Sequence, residues 1–170
     1  QSAVSHAGES MIQHAAIIKK IYFPRLIIPG SSILVSFFDF LMGLAVFLIF
    51  CIVYKQPLHW YSIPCFVSGI IMLVLAAFGA GTFLAALNVK YRDFRYTIPF
   101  LLQLMFFSAQ VIYPAQMVTQ PALKKLLAFN PVNGSIELFR CGLTGERPES
   151  LLLIAGTATT IVLLVTGLYF

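Results

Sequence analysis

The sequence predicts an all-α integral membrane protein, built as a bundle of transmembrane helices. Hydrophobic residues make up 59% of the 170-residue chain and charged residues only 10%, whereas a soluble domain carries about 25% charged residues. The apolar residues also form long continuous runs separated by short polar segments. Continuous runs are typical of membrane helices, while the strands of a membrane β-barrel alternate between apolar and polar residues.

Four apolar runs come close to the roughly 20 residues that a membrane-crossing helix needs. They cover residues 26–54, 62–87, 97–113 and 151–170. The third run is near the lower limit of length. Because the chain stops inside the fourth run, we expect a fragment of a longer polypeptide, forming a single transmembrane domain over residues 1–170.

A segment of different character, residues 114–150, separates the last two runs. Within it, ALKKLLAF and SIELFRCGL have helical spacing but are too short to cross a membrane. The break between them is Asn130-Pro131, and a proline disfavours the helical conformation at the residue before it. The segment is therefore predicted to form a short amphipathic helical hairpin at one membrane face.

The basic residues of two polar segments predict the orientation in the membrane. Two spans separate these segments, so they lie on the same side. The residues are Lys19, Lys20, Arg25, Lys90, Arg92 and Arg95. The short loop on the other side carries only Lys55. Because cytoplasmic loops are enriched in Lys and Arg, residues 1–25 are predicted to be a cytoplasmic interface segment, with the 88–95 turn on the same side.

Motifs of soluble enzymes and of metal sites are missing from the sequence. It has no GxxxxGK[ST] phosphate loop, no GxSxG elbow and no HExxH. The three cysteines, Cys51, Cys65 and Cys141, have no CxxC spacing, so they predict neither a zinc site nor a disulfide framework. The basic residues are scattered over several loops, which does not indicate nucleic-acid binding.

Asp39 is the one ionisable residue deep inside a predicted span. It shares a helical face with Ser32, Ser36 and Gly43, and this face is expected to point into protein, which would leave Asp39 as a buried polar residue. A hydrogen bond to a neighbouring helix and a direct role in transport are both open interpretations. In the next span, Ala77, Gly81 and Ala85 place small residues four apart, which favours close helix packing.

The third span carries a stripe of aromatic and amide side chains. Its members follow at spacings of 4, 3, 4 and 3 residues, which predicts one helical face: Tyr96, Phe100, Gln103, Phe107 and Gln110. Aromatic rings stack on sugar rings, and amides hydrogen-bond hydroxyl groups. Since unsatisfied amides are costly in lipid, the stripe is expected to face either a partner helix or a wet pathway.

Three segments, in order, resemble a known family. They are IIKKIYFPRLIIP, ALNVKYRDFRYTIPFLLQLMFFSAQVIYP and LLAFNPVNGSIELFRCGL. From about Ile12 to its end the chain resembles the membrane subunit of the ABC transporters that export bacterial surface polysaccharides, such as O-antigen, capsule and teichoic acid. It departs from the family at Gln110-Val111, where the family usually has Pro-Val, and this departure falls on the stripe.

The resemblance implies a six-span permease in the bacterial inner membrane, working as a homodimer with two copies of an ATP-binding cassette subunit. ATP and Mg²⁺ would be bound by that partner, not by this chain, which would bind no cofactor and would not be an enzyme. A lipid-linked polysaccharide would pass along the stripe, and residues 114–150 would form an outer gate. The residues that would contact the partner are Lys19, Lys20, Tyr22, Arg25, Tyr91, Arg92 and Asp93.

Three other functions are alternatives, each with its own requirement. A permease of the same class for a small molecule or drug would have a closed pocket rather than a wide channel. An ion-coupled secondary transporter needs a buried titratable network beyond Asp39. A membrane-embedded glycosyl-transfer enzyme needs paired carboxylates at one membrane face, whereas Asp93 stands alone on its side and the glutamates of the hairpin form no partner motif.

Overall fold

A computed structural model describes residues 1–13, 26–55, 60–91, 93–111, 120–145 and 148–169, without the side chains of 121–124. Helices account for nearly all of this part of the chain, and no strand occurs in it. In chain order they are α1 (Ser2–Gln13), α2 (Ile27–Val53), α3 (Ser62–Lys90), α4 (Phe94–Ser108), α5 (Pro121–Ala128), α6 (Pro131–Thr144) and α7 (Ser150–Tyr169).

Helix α3 lies at the centre of the bundle and packs against α1, α2, α6 and α7. Its glycines make this possible. A Cβ atom on Gly79 would lie 2.8 Å from the backbone nitrogen of Leu164 in α7, and one on Gly81 would lie 2.9 Å from Cβ of Ala7 in α1. The predicted role in helix packing is confirmed for Gly81, because only glycine admits a neighbour this close, and Gly79, which was not in the predicted set, packs in the same way.

The described helices confirm an integral membrane bundle, with one difference from the predicted spans. Helices α2, α3 and α7 are long and apolar enough to cross a membrane. Helix α4 has 15 residues and ends at Ser108, because the backbone of Ala109 is extended, with ψ of 130°. The run predicted as a span at 97–113 is thus a shorter helix that begins earlier, and residues 112–119 lie outside the described part.

Helix α1 packs inside the bundle, against α2, α3 and α4. Ala7, Gly8 and Ser10 are buried there, although residues 1–25 were predicted to be an interface segment on the cytoplasmic side. A small Ala-Gly surface fits the groove beside Gly81, which the polar composition of the segment did not reveal. The membrane side of α1 stays a prediction, and residues 14–25 lie outside the described residues.

The two short helices of the hairpin form where they were predicted. Helix α5 ends at Ala128 and α6 begins at Pro131, so the break falls at Asn130. The backbone of Asn130 is extended, with ψ of 117°, as expected for a residue that precedes proline. Its side-chain oxygen accepts a hydrogen bond from the Val132 N–H at 3.1 Å, which caps the first turn of α6.

Candidate functional site

The turn between α3 and α4 presents Tyr91 and Asp93 on the surface of the chain. Tyr91 ends α3 in an extended conformation, and its carbonyl accepts the Phe94 N–H at 3.1 Å. The ring of Tyr91 lies 6.0 Å from that of Phe94, and the Lys90 ammonium lies 5.5 Å from its centroid. Asp93 precedes the first residue of α4, where the helix dipole favours its negative charge.

The other residues predicted to contact an ATP-binding partner cannot be placed. They are Lys19, Lys20, Tyr22, Arg25 and Arg92, and they lie outside the described residues. The structure thus brings Tyr91 and Asp93 together in one exposed turn and leaves the remainder of the predicted set a prediction.

Asn88 anchors this turn to α1, a role that the sequence analysis missed. Its side chain is 1% exposed, and its Nδ2 donates to the Gly8 carbonyl at 2.9 Å. An asparagine close to the end of an apolar span was the available signal, since a buried amide needs partners. The bond holds the end of α3 on α1 just before the chain turns into α4.

Four residues of the predicted stripe lie together on one exposed face of α4. They are Tyr96, Phe100, Gln103 and Phe107. The opposite face is buried, where Ile98 and Leu102 pack against Leu84 of α3. The helix is thus held by one face and presents aromatic rings and an amide on the other. Whether this face meets a pathway or a partner helix stays a prediction.

Gln110, the fifth residue of the stripe, does not share that face. The helical spacing stops at Ser108, and the extended backbone at Ala109 turns Gln110 into the protein, where it is 1% exposed. Its main-chain N–H donates to Asn133 Oδ1 at 2.8 Å. Its side-chain amide has no hydrogen-bond partner within the described residues. The prediction that Gln110 shares one helical face with the other four residues was wrong, because it extrapolated the helix past its end, whereas its role in lining a pathway stays a prediction.

Two asparagines of the hairpin hold the C-terminal end of α4. Asn130 Nδ2 donates to the Met105 carbonyl at 2.8 Å and to Ser108 Oγ at 2.9 Å. Asn133 is fully buried, and its Nδ2 donates to the carbonyls of Ser108 at 3.2 Å and Leu127 at 2.8 Å. The last carbonyls of a helix lack partners inside the helix, so these amides bind the end of α4 to the hairpin.

Arg140 adds a charged contact to the same region. Its Nη2 donates to the Gln110 carbonyl at 2.5 Å, and its Nη1 lies 3.6 Å from Oε1 of Glu137, one turn earlier on α6. Glu137 is buried. A buried carboxylate is stable only with a nearby cation or donors, so Arg140 both compensates Glu137 and holds the chain after α4.

Asp39 is exposed in the described part of the chain, and its burial against other protein stays a prediction. Helix α2 buries residues near its ends, Pro29, Ile33 and Cys51, and its middle has few neighbours. Asp39 lines a cavity of about 580 Å³ between α1, α2, α3 and α4. On the same face, Ser36 Oγ donates to the Ser32 carbonyl of its own helix at 3.3 Å.

Residues 3–143 match the model of a family described as ABC-2 type transporter. The chain belongs to the ABC-2 type transporter family. The matched part of this ABC-2 chain runs from α1 to the end of α6, and so includes the α3–α4 turn, the exposed face of α4 and the hairpin.

Curated relatives of this ABC-2 chain are similar over nearly its whole length. It is 30% identical over 168 residues to the O-antigen export system permease protein RfbA of Klebsiella pneumoniae, a match that covers 95% of this chain and 63% of the relative. A second Klebsiella pneumoniae relative of the same name is 29% identical over 168 residues, with the same two shares covered. The RfbA of Myxococcus xanthus is 27% identical over 166 residues, with 96% and 63% covered. The chain thus spans less than two thirds of these relatives.

Proposed function

We propose that this chain is part of the permease subunit of an ATP-driven exporter that moves a lipid-linked polysaccharide across the bacterial inner membrane. The support is the ABC-2 family membership and the similarity, over 95% of the chain, to relatives named as O-antigen export permeases. The permease works as a homodimer with two copies of an ATP-binding cassette subunit. ATP and Mg²⁺ are bound and used by that subunit, and this chain binds no cofactor.

One observation carries the mechanism: α4 connects the exposed turn at one end to the hairpin at the other. Its first residue follows Asp93, and its last turn is held by Asn130 and Asn133. A push by the ATP-binding subunit on the turn therefore moves α4 together with the hairpin, because hydrogen bonds at the end of α4 resist separation. The aromatic and amide face moves with it.

The side chains of that face can contact a sugar chain that moves past them step by step. Tyr96, Phe100 and Phe107 offer rings that stack on the apolar faces of sugars, while Gln103 donates and accepts hydrogen bonds. Each of these contacts is weak, and together they do not select one particular sequence of sugars. A polymer can therefore slide past them, held against the pathway but not trapped at one position.

The experiment compares surface polysaccharide in cells whose full-length permease carries Gln103→Leu or Phe107→Ala with cells carrying Phe50→Ala. Phe50 on α2 is exposed to a similar extent, 56% against 59% for Phe107, but lies outside the proposed pathway. We expect export to fall several-fold in the first two variants, with ATPase activity of the purified complex retained, and to persist in the third. Loss of complex assembly in Gln103→Leu would instead show that Gln103 joins helices, and the pathway would lie elsewhere.

A further inference from the structure

Two cysteines far apart in sequence meet at one end of the bundle. Cys65 lies in the first turn of α3 and Cys141 in the last turn of α6, and their sulfur atoms are 3.2 Å apart. Both are free thiols and both are only partly buried. The contact therefore joins the start of a membrane-spanning helix to the end of the hairpin, across 76 residues of sequence.

The surrounding residues make this contact a packed one. Next to Cys141, a Cβ atom on Gly142 would lie 3.1 Å from the ring of Phe66 and 3.3 Å from the Ser62 carbonyl. Gly145 ends α6 with φ of +75°, a conformation that favours glycine, and lies against the Tyr61 hydroxyl. Two glycines, Gly142 in the last turn of α6 and Gly145 just after it, thus permit the close approach that places the sulfurs side by side.

We propose that Cys65 and Cys141 are a redox-active pair that forms a reversible intrachain disulfide and so locks the hairpin to α3. A disulfide has a sulfur–sulfur distance of about 2.05 Å, so the two sulfurs, 3.2 Å apart, need to approach each other by only about 1 Å. The oxidant is a disulfide compound, RSSR. One cysteine thiolate attacks it and releases RS⁻, and the second thiolate then displaces the remaining RS⁻ from the mixed disulfide. The two protons lost by the cysteines convert both RS⁻ groups to RSH. Two protein thiols and RSSR thus yield one protein disulfide and two RSH.

The position along α3 gives such an oxidant access. At a rise of about 1.5 Å per residue, the 29 residues of α3 span about 43 Å, whereas the hydrocarbon core of a bilayer is about 30 Å thick. The excess of about 13 Å leaves room for the first turn of α3 to lie in the headgroup region. The orientation predicted from loop charges places this end on the extracytoplasmic side, where disulfides persist.

The bond would restrict the elements that the proposed export mechanism moves. Helix α6 carries Asn133 and Arg140, which hold the end of α4 and the residue after it. Tying α6 to α3 makes α3, α6 and the end of α4 one unit, so the hairpin can no longer shift with α4 alone. Oxidised protein is then expected to export several-fold more slowly than reduced protein. This consequence rests on the proposed function, whereas formation of the bond does not.

The test of the bond uses the full-length permease in isolated membranes, treated with oxidised glutathione, alkylated and digested for mass spectrometry. We expect a linked peptide pair containing Cys65 and Cys141, which disappears after dithiothreitol. The pair should persist in Cys51→Ser and be lost in Cys65→Ser and in Cys141→Ser. Absence of this pair in both the unmodified protein and Cys51→Ser, or a pair that contains Cys51 instead, overturns the proposal.

The functional arm compares export before and after oxidation. Export should fall in the unmodified protein and recover with dithiothreitol, while Cys65→Ser and Cys141→Ser should export equally under both conditions. A linked pair with unchanged export overturns the locking role. If the reduced protein also fails to export polysaccharide, the proposed function is contradicted. The mass-spectrometric result on the linked peptide pair then still decides whether the disulfide forms.

Discussion

Replacing Asn133 by alanine should separate the hairpin from the end of α4 and lower the stability of the protein. The Asn133 side chain is fully buried and makes three hydrogen bonds, with the Gln110 N–H and with the carbonyls of Ser108 and Leu127. The Leu127 carbonyl keeps a second donor, the Asn130 N–H at 3.1 Å. Two backbone groups therefore lose the partner that Asn133 gives them.

The expected cost follows from those two groups. A buried backbone group left without a partner costs about 1–3 kcal/mol, so Asn133→Ala should lower the free energy of unfolding by roughly 2–6 kcal/mol. For a chain of 150–250 residues, 1 kcal/mol corresponds to about 2–4 °C in Tm, so a loss of about 3 kcal/mol lowers Tm by about 6–12 °C. Thermal unfolding of the purified full-length protein in detergent measures this shift.

Val132→Ala is the control, because it shortens the neighbouring side chain without removing a hydrogen bond of Asn133. Its partly buried side chain should cost about 1 kcal/mol, through the loss of apolar contact. If Asn133→Ala unfolds within about 2 °C of the unmodified protein, or no earlier than Val132→Ala, then the asparagine does not hold α4 to the hairpin and the mechanical link in the proposed mechanism fails.

Three further predictions concern helix contacts and the thiol of Cys141. Gly79→Ala should lower the free energy of unfolding by about 1–3 kcal/mol, because its Cβ would lie 2.8 Å from a backbone nitrogen of α7. The control Gly43→Ala, whose Cβ would have nothing within 4 Å, should be neutral or stabilising in the same unfolding assay. Equal losses in the two variants would contradict this packing. Asn88→Ala removes the bond to the Gly8 carbonyl and should cost about 1 kcal/mol, and an unchanged Tm would show that α1 is held by apolar contacts alone. Burial, above all, and the neighbouring thiol and carboxylate raise the pKa of Cys141 to about 11. Since the thiolate is the reactive form, the rate of alkylation of Cys141 should rise about tenfold per pH unit from pH 8 to 10. A rate that levels off below pH 9 would refute the raised pKa.

Local sequence patterns predicted the helices well, because continuous apolar runs and a proline have few structural outcomes. The runs at 26–54, 62–87 and 151–170 became α2, α3 and α7, with ends that differ by at most three residues. The break at Asn130-Pro131 and the exposed face of α4 from Tyr96 to Phe107 follow from the same local rules. These features depend on residues close in sequence.

The predictions that were wrong or that stay open depended on where a helix ends and on what packs beside it. Helical spacing placed Gln110 with Gln103, but the extended backbone at Ala109 buries it against the hairpin instead. Asp39 was expected to be buried because it lies deep in an apolar run, and since the middle of α2 is largely exposed in the described chain, that burial stays a prediction. Neither the end of a helix nor its neighbours can be read from periodicity alone.

By itself the sequence determined that this protein lies in a membrane, which segments are helical and which residues share a helical face, since these properties follow from local composition and from the period of the helix. Only the tertiary structure decided the partners of the polar side chains. The amide of Asn88 pairs with Gly8, 80 residues away, and the sulfur of Cys65 with that of Cys141. Such pairs form because buried polar groups must find partners where the packed helices bring them together, and that meeting point depends on the glycines that set how closely the helices approach.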